Sequence, residues 1–310
     1  MGHAQDARFD ETRLPGRLSM YLLSRGSGHP ILFIHGIPTS NRIWSGVIDR
    51  LAGSYNCLAV DLPGLGRSPR ATHRLGELQV LADHIEELRI QHNIDKWHVV
   101  GHDAGSAIAV QYSHRFPDRV GRLALLSPAL FPDLKPFYLF RLLRIPWIGE
   151  MLAPLVNLAF WRIAMRGAVE GQTKELDGVL EDFRAPFCGV RGAWHLMSLL
   201  RWGNPAQVLA AVPGYLPQLS MPTVVFQGSR DRAVPHSFAM RASALIPNCR
   251  MVTVESGHFI PLNNPECVAS ELRRFFDPES VCNVHARIGG RRGIRTRDPG
   301  VANAVLSQLS

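Results

Sequence analysis

Long uncharged apolar runs are missing from this 310-residue sequence. The most apolar region, residues 137–165, is broken by arginines, prolines and a glutamate. Its uncharged stretch from Met151 to Trp161 is far shorter than the roughly 20 residues that span a bilayer. The first 20 residues are polar and of mixed charge, without the apolar segment of a signal peptide. We therefore expect no stable membrane insertion and a cytoplasmic location.

Cysteine is scarce and scattered. The five cysteines are odd in number, and no two of them form a C-x-x-C pair. This pattern disfavours both a disulfide framework and a zinc site, and it is typical of a reducing compartment. We expect no metal ion and no other cofactor.

The excess of positive charge is not spread over the chain. The formal net charge is +8, but residues 283–310 alone carry five arginines against Asp298, which gives +4. Half of the excess thus lies in a terminal segment, and we expect no nucleic-acid partner. This segment is similar to tails on many unrelated bacterial proteins, where a reading frame runs on through a transfer-RNA gene. We predict that residues 278–310 are disordered.

What the sequence does contain is an alternation of short apolar strands and amphipathic helices. With 46% hydrophobic and 19% charged residues, the chain can bury a large core. Strand-like runs begin near positions 31, 57, 97, 122, 222 and 249, with helical patterns between most of them. This rhythm predicts an α/β fold with a mostly parallel sheet flanked by helices.

The rhythm breaks between 131 and 214, where apolar helical stretches with several prolines replace the strands. We interpret this region as a helical cap whose apolar residues form its own core and an apolar pocket. The predicted parts are an N-terminal extension (1–18), an α/β core (19–130 and 215–277), the cap (131–214) and the tail (278–310).

The stretch VVGHDAGSAIAV (99–110) predicts a strand, a glycine-tight turn and a helix. Small residues stand two before, two after and three after Asp103, as a sharp turn requires, because larger side chains would collide there. Asp103 would then project above the carboxyl edge of the sheet, where open α/β folds bind ligands. The amide of Ala104 would point to the same place. An aspartate that only caps the helix is the plainer alternative.

A second motif, HGIPTS (35–40), follows the first buried strand. The amide of Ile37 can join that of Ala104 as a two-donor oxyanion hole. In this interpretation His35, Gly36 and Pro38 support the loop that presents Ile37.

Two further loops would open on the same edge of the sheet. Asp231 in QGSRDRAVP and His258 in ESGHFIPLNNPE each follow a predicted strand. A carboxylate that orients a histidine, which in turn reaches a nucleophile, is the geometry of a catalytic triad. The chain order of Asp103, Asp231 and His258, with a cap before the second aspartate, favours that arrangement over chance.

Together these motifs resemble the α/β-hydrolase fold superfamily, in the branch of epoxide hydrolases and haloalkane dehalogenases that use an aspartate nucleophile. The resemblance covers roughly residues 20–277 through HGIPTS…W, DLPGLGRS, GHDAGS, GSRD and SGHFIPLNNPE. It implies that the Ile37–Pro38 bond is cis. Some relatives place the triad acid where Asp133 stands, but GSRD favours Asp231, and we expect His102 to pack beneath the turn.

An aspartate at the turn tip favours attack on saturated carbon. A carboxylate with an ordinary pKa of about 3.9 is already ionised and needs no base. At an ester carbonyl it would give an anhydride, whereas at an sp3 carbon it gives a stable alkyl ester and expels an epoxide oxygen or a halide. His258 would then activate water to hydrolyse that ester. The expected partners are a small apolar substrate and water.

The leaving group is less clearly marked in the sequence. Similar haloalkane dehalogenases usually have Trp after the nucleophile and often Asn in the HGNP loop, where this chain has Ala104 and Ile37. The resemblance therefore favours an epoxide hydrolase, with a haloalkane dehalogenase as the alternative. The residues that would take over the missing role are, for halide, the cap tryptophans Trp147, Trp161 or Trp194 and, as acids for epoxide opening, Tyr138 or Tyr215.

An alternative of another class is a non-hydrolytic ligand-binding protein, or an enzyme for another reaction, on the same fold. Tyr138 can equally be a packed aromatic, and Ser106 fits a small turn residue better than a nucleophile. We expect a monomer or a homodimer.

Overall fold

A computed structural model describes residues 10–13, 20–70, 77–135, 145–165, 169–170, 174–202 and 204–277. Within these ranges, eight strands form one sheet in the order β1-β2-β4-β3-β5-β6-β7-β8. The strands are β1 Asp10–Arg13, β2 Tyr21–Arg25, β3 His29–Ile34, β4 Tyr55–Asp61, β5 Trp97–His102, β6 Val120–Leu126, β7 Thr223–Gly228 and β8 Cys249–Val254. Strands β3 to β8 run parallel, and β1 and β2 pair antiparallel at one edge.

Helices connect the parallel strands. Those of seven residues or more are α1 Ser45–Leu51, α2 Leu78–Gln91, α3 Ala104–Arg115, α4 Ile148–Ala159, α5 Lys174–Arg184, α6 Gly189–Trp202, α7 His236–Leu245 and α8 Pro265–Phe276. Helix α1 packs on α8, and α2 packs on α3. Strands β5 and β7 are buried at every residue, as expected for central strands of a sheet covered on both faces. The predicted α/β architecture is confirmed.

The N-terminal part of the prediction needs correction. Residues 10–13, assigned to an extension outside the core, form β1 and pair with β2 in a register that sets Asp10 opposite Ser24. The sequence of β1 is DETR, which has no apolar alternation. An edge strand held by backbone pairing has no such signal, so hydrophobic periodicity does not detect it.

The region interpreted as a cap contains helices and no strand in its described part. Helix α4 packs its residues Ala153 and Val156 against Ala193 and Met197 of α6. A π-helical turn, Phe160–Met165, and short helical turns at Ala185–Phe187, Pro205–Val208 and Val212–Tyr215 complete it. Across the described ranges no helix is both long and apolar enough to cross a membrane. The predicted disordered tail, 278–310, lies outside the described residues.

One buried contact ties the cap to the core. His195 of α6 donates from Nε2 to the carbonyl of Gly64, at 2.6 Å, in the loop after β4. Its ring stacks on Phe187, which in turn stacks on Trp161. Burial lowers the pKa of His195, although the hydrogen bond to Gly64 opposes this. A neutral imidazole with one N–H suits this single acceptor.

The entry of α3 into the core generates a first prediction. A Cβ atom at Gly105 would lie 2.4 Å from the carbonyl oxygen of Ile34 and 2.5 Å from that of His35, both of which are backbone. We expect Gly105→Ala to lower the free energy of unfolding by about 1–3 kcal/mol, because these backbone carbonyls cannot move far enough to make room for a methyl group. Thermal denaturation followed by circular dichroism measures this.

Gly178, inside α5, is the matched control, since a Cβ there meets nothing within 4 Å. Gly178→Ala should stabilise the protein by about 0.5–1 kcal/mol through helix propensity. Equal unfolding temperatures for both variants would contradict the close packing at Gly105.

Candidate active site

Asp103 stands at a sharp turn between β5 and α3. Its backbone has φ 51° and ψ −122°, an unfavourable conformation for a residue with a Cβ. The turn is held because the Asp103 amide donates to Leu126 O and the Asp103 carbonyl accepts from the Ser106 amide, both at 3.0 Å. The buried Ser106 hydroxyl donates to Gly101 O at 3.0 Å, so it ties the turn together and is not presented to a substrate.

The carboxylate of Asp103 is held on one side by backbone amides. The amide of Ile37 donates to Oδ2 at 3.1 Å, and the amide of Ala104 also donates to this carboxylate. Gly36 allows the approach, because a Cβ there would lie 2.4 Å from Oδ2. Desolvation raises the pKa of Asp103, opposed by the charge of His258 and by the two amides. Oδ1 faces His258 instead, 4.0 Å from its Nε2.

The loop that carries Ile37 is fixed by a buried, neutral histidine. His35 donates from Nδ1 to Gly36 O at 2.7 Å, and its Nε2 accepts from the amide of Leu62 at 2.9 Å. Burial lowers the pKa of His35 to about 4, although the Gly36 hydrogen bond opposes this. One donor and one acceptor nitrogen therefore match the two backbone partners. The Ile37–Pro38 bond is cis, as the resemblance implies.

Asp231 and His258 meet beside Asp103. The Nδ1–H of His258 donates to Asp231 Oδ2 at 3.0 Å, and the amides of Ala233 and Val234 donate to Asp231 Oδ1 at 2.8 and 3.0 Å. Burial raises the pKa of Asp231, but these hydrogen bonds and the charge of His258 outweigh it and bring the pKa to about 2. Asp231 is therefore ionised at neutral pH.

Opposing effects act on the pKa of His258. Burial lowers its pKa, but the hydrogen bond to Asp231 and the negative charges of Asp231 and Asp103 raise it above the ordinary value. Its ring also lies 4.9 Å from that of His102. Burial lowers the pKa of His102 to about 3, so that neighbour is neutral.

The structure shows three contacts that the motifs do not predict. The carbonyl of His258 accepts from His102 Nε2 at 3.0 Å and from the Ser127 hydroxyl at 3.2 Å, so the loop carrying His258 is anchored to the ends of β5 and β6. Gln227, the residue before Gly228, donates from Nε2 to Asp231 Oδ2 at 3.3 Å. A polar residue inside the otherwise apolar strand TVVFQG is the sequence signal that marks it.

Asp133 lies away from this cluster. Both of its carboxylate oxygens accept from Nη1 of Arg241, at 2.8 and 3.1 Å, on the exposed surface. It therefore has no contact through which to orient His258, and Asp231 is the acid that the geometry selects.

Of the two cap tyrosines proposed as acids, Tyr215 is described and does not reach Asp103. The ring of Tyr215 stacks on His114, eleven positions along α3 from Asp103, or about 16 Å at 1.5 Å per residue. Its hydroxyl cannot protonate a leaving group at Asp103, so that prediction was wrong. Tyr138 lies outside the described residues.

The three cap tryptophans are likewise engaged or turned outward. The indole N–H of Trp161 donates to Asn157 Oδ1 at 3.0 Å, and that of Trp194 donates to the carbonyl of Glu150 at 3.4 Å. Trp147 is 83% exposed. None of the three provides a halide donor in this structure. Elsewhere in the described ranges, no three His, Cys, Asp or Glu side chains gather in a way that would hold a metal ion.

Comparison with known proteins places this chain in a family. The sequence profile described as alpha/beta hydrolase fold matches residues 29–265. The chain belongs to the α/β-hydrolase family. A haloalkane dehalogenase of Mesorhizobium japonicum is 26% identical over 281 residues, covering 84% of this chain and 88% of the relative. A cis-3-alkyl-4-alkyloxetan-2-one decarboxylase of Shewanella oneidensis is 25% identical over 280 residues, covering 83% of this chain and 84% of the relative.

A solved structure shares the fold of this α/β-hydrolase over nearly its whole length. The haloalkane dehalogenase DbeA of Bradyrhizobium elkani superposes with a TM-score of 0.74 at 23% identity, covering 89% of this chain and 99% of that one. The α/β-hydrolase fold expected from the motifs is thereby confirmed.

The balance of charges around His258 generates a second prediction. Asp231→Asn removes both the charge and the charged acceptor, while the burial that lowers the pKa remains. We expect the pKa of His258 to fall, because only the charge of Asp103 then still opposes the effect of burial. Long-range proton–nitrogen NMR of the imidazole across a pH series measures it.

Asp133→Asn is the control, because Asp133 pairs with Arg241 on the surface. It should leave the His258 titration unchanged. A fall in the His258 pKa in this variant, and none in Asp231→Asn, would make Asp133 the orienting acid.

Proposed function

We propose that the protein is a hydrolase that displaces a leaving group from a saturated carbon of a small apolar substrate, through an ester on Asp103. The observation that carries this proposal is the identity of the residue at the turn tip. It is an aspartate, and it has His258 Nε2 at 4.0 Å and Asp231 behind that histidine.

The first step needs no base. Oδ2 of Asp103 is occupied by the amide of Ile37, which leaves Oδ1 to attack the carbon. The new Oδ1–carbon bond forms as the carbon–leaving-group bond breaks, and the leaving group departs with that electron pair. The negative charge of Asp103 passes to the leaving group, and a neutral alkyl ester remains.

The second step uses His258. Its Nε2 faces Oδ1, so it can take a proton from a water that attacks Cγ of the ester. The negative charge then develops on Oδ2, which the amide of Ile37 already contacts, while the amide of Ala104 donates to the same carboxylate. Collapse expels the alkoxide, which takes the proton from His258. Asp103 is released as an acid and ionises.

For the leaving group, the comparisons support halide better than the epoxide oxygen that the motifs favour. The relative from Mesorhizobium japonicum is named a haloalkane dehalogenase. An epoxide also needs an acid on its oxygen, and Tyr215 lies too far away to be that acid. The side chains of Ile37 and Ala104 donate no hydrogen bond to a halide. The departing halide is then stabilised only by water. We therefore expect a steep preference for iodide and bromide over chloride.

A second candidate is opening of a β-lactone at its alkyl carbon. The relative from Shewanella oneidensis is named an oxetan-2-one decarboxylase. In such a ring the leaving group is a carboxylate, which needs neither a halide donor nor an acid. After attack by Asp103, loss of CO2 with re-expulsion of the Asp103 carboxylate would give an alkene, without water and without His258.

A trapping experiment tests the proposal and separates these leaving groups. In His258→Gln the first step remains and ester hydrolysis should slow by about 10²–10⁴-fold. We expect a stable adduct on the peptide containing Asp103, detected by intact and peptide mass spectrometry. A haloalkane gives an alkyl ester with one equivalent of halide, an epoxide gives a hydroxyalkyl ester, and a cis-3,4-dialkyl β-lactone gives alkene and CO2.

Two variants complete that design. The exposed His236 provides a control, since His236→Gln should turn over like wild type. Adding Asp103→Ala to His258→Gln should abolish the adduct. If no electrophile labels Asp103 or releases product, while wild type cleaves p-nitrophenyl esters, the alkyl-ester mechanism is wrong.

A further inference from the structure

The first turn and outer face of α4 carry a row of exposed apolar side chains. Trp147, Met151 and Leu155 follow one another at a spacing of four residues, and 83%, 82% and 65% of their surfaces are exposed. The opposite face of α4, with Ala153 and Val156, is buried against α6. The helix is therefore already packed, and this row is not used in that packing.

The row continues on neighbouring elements. Trp194 of α6 is 48% exposed, and its indole N–H contacts the carbonyl of Glu150, which joins it to the row. We call Trp147, Met151, Leu155 and Trp194 the cap stripe. The further exposed apolar residues of this region are Ile145, Ile148, Leu158, Ile163 and Val190. A contiguous exposed apolar surface of this kind marks a site of interaction.

The sequence that contains helix α4 is rich in basic residues. In the sequence, residues 135–166 hold one lysine and four arginines against a single acid, Glu150, whose charge is paired with Arg201. Arg191 of α6 is exposed between Val190 and Trp194, and it forms no ion pair among the described side chains. Apolar and tryptophan side chains beside an exposed cation such as Arg191 match the boundary between headgroups and acyl chains of an anionic lipid layer.

We propose that the cap stripe docks the protein on the surface of anionic lipid, without crossing it. A second copy of the chain is a less suitable occupant. In a symmetric contact through the stripe, the exposed Arg191 of both copies would enter the same interface, and like charges would oppose association. Anionic headgroups neutralise those cations instead.

Vesicle sedimentation with the full chain tests the docking. We expect at least tenfold more binding to vesicles of phosphatidylglycerol and phosphatidylcholine than to phosphatidylcholine alone, with loss of that preference at high salt. Met151→Gln combined with Leu155→Gln should reduce binding at least tenfold, and Arg191→Gln by about fivefold. Met240→Gln, an exposed methionine on α7, is the matched control and should bind like wild type.

Three results would overturn the docking. The first is equal binding to both kinds of vesicle. The second is anionic binding that the stripe variants leave unchanged, which would assign it to the basic tail. The third is a concentration-dependent dimer in sedimentation velocity that the stripe variants abolish, with no vesicle binding, which would assign the stripe to a second copy.

Gln227 supports a separate inference about the triad. It is fully buried at the end of β7, where Nε2 donates to Asp231 Oδ2 and to Val234 O, at 3.3 and 3.1 Å. Its Oε1 is buried and has no donor among the described residues. An apolar side chain would avoid that unpaired acceptor, so the contribution of the amide lies in its N–H.

We infer that Gln227 is a positioning residue, which weakens the pull of Asp231 on His258 by sharing the oxygen that accepts from the imidazole. With this N–H, Asp231 receives a donor from each of Gln227, His258, Ala233 and Val234. The titratable groups that face His258 are Asp231, Asp103 and the neutral His102. Its effect on turnover, though not on titration, rests on the proposed function.

Gln227→Met keeps the volume and removes the N–H. We expect His258 to titrate about half a pH unit higher by NMR, because Asp231 then concentrates its charge on the imidazole. The pH at which turnover declines on the acid side should rise by the same amount, and the unfolding temperature should stay the same. Gln218→Met, at an exposed glutamine, is the control.

The direction of the titration shift decides the role of Gln227. A residue that merely holds Asp231 in place would loosen the Asp231–His258 contact when replaced, and His258 would titrate lower. A downward shift or no shift overturns the inference. An upward NMR shift without any catalysed reaction would retain it and reject the proposed function.

Discussion

The site depends on how closely the start of α3 approaches the end of β3. Gly105 packs against the carbonyls of Ile34 and His35, with no room for a Cβ. That approach forces the chain to turn sharply at Asp103, with φ 51°. Because β3 and β5 are parallel neighbours, their following loops lie side by side. The same packing thus brings the carboxylate of Asp103 onto the amide of Ile37.

The two aspartates of the site are held in contrasting ways. Asp231 is saturated by donors, and its pKa of about 2 keeps it charged and fixed as the partner of His258. Asp103 is held by amides on one side, while Oδ1 faces His258 without a hydrogen bond. A carboxylate with every lone pair occupied would be a poor nucleophile. In the proposed reaction, the difference in donor number separates the carboxylate that orients from the carboxylate that reacts.

Much of this arrangement is readable from the sequence, because it rests on local constraints. Small residues around Asp103 and apolar runs such as β5 are properties of single segments, and the parallel order then brings Asp231 and His258 together. Contacts that have no local sequence pattern cannot be predicted from the sequence. The polar edge strand β1 is held only by backbone pairing, and the place of Tyr215 is set by its stacking on His114. Gln227 becomes meaningful only when Asp231 is beside it.

Family membership and leaving group are decided by different residues. The turn, the two amides and the His258–Asp231 pair suit any reaction that passes through an ester on Asp103. The choice of leaving group depends on the side chains that face it. Ile37 and Ala104 offer it only backbone N–H groups, and these are directed at the carboxylate of Asp103. The indole N–H groups of Trp161 and Trp194 already donate to other acceptors and add no donor for a leaving group. The proposed reaction therefore favours substrates whose leaving group is stable without protein help, such as a heavier halide or a tethered carboxylate.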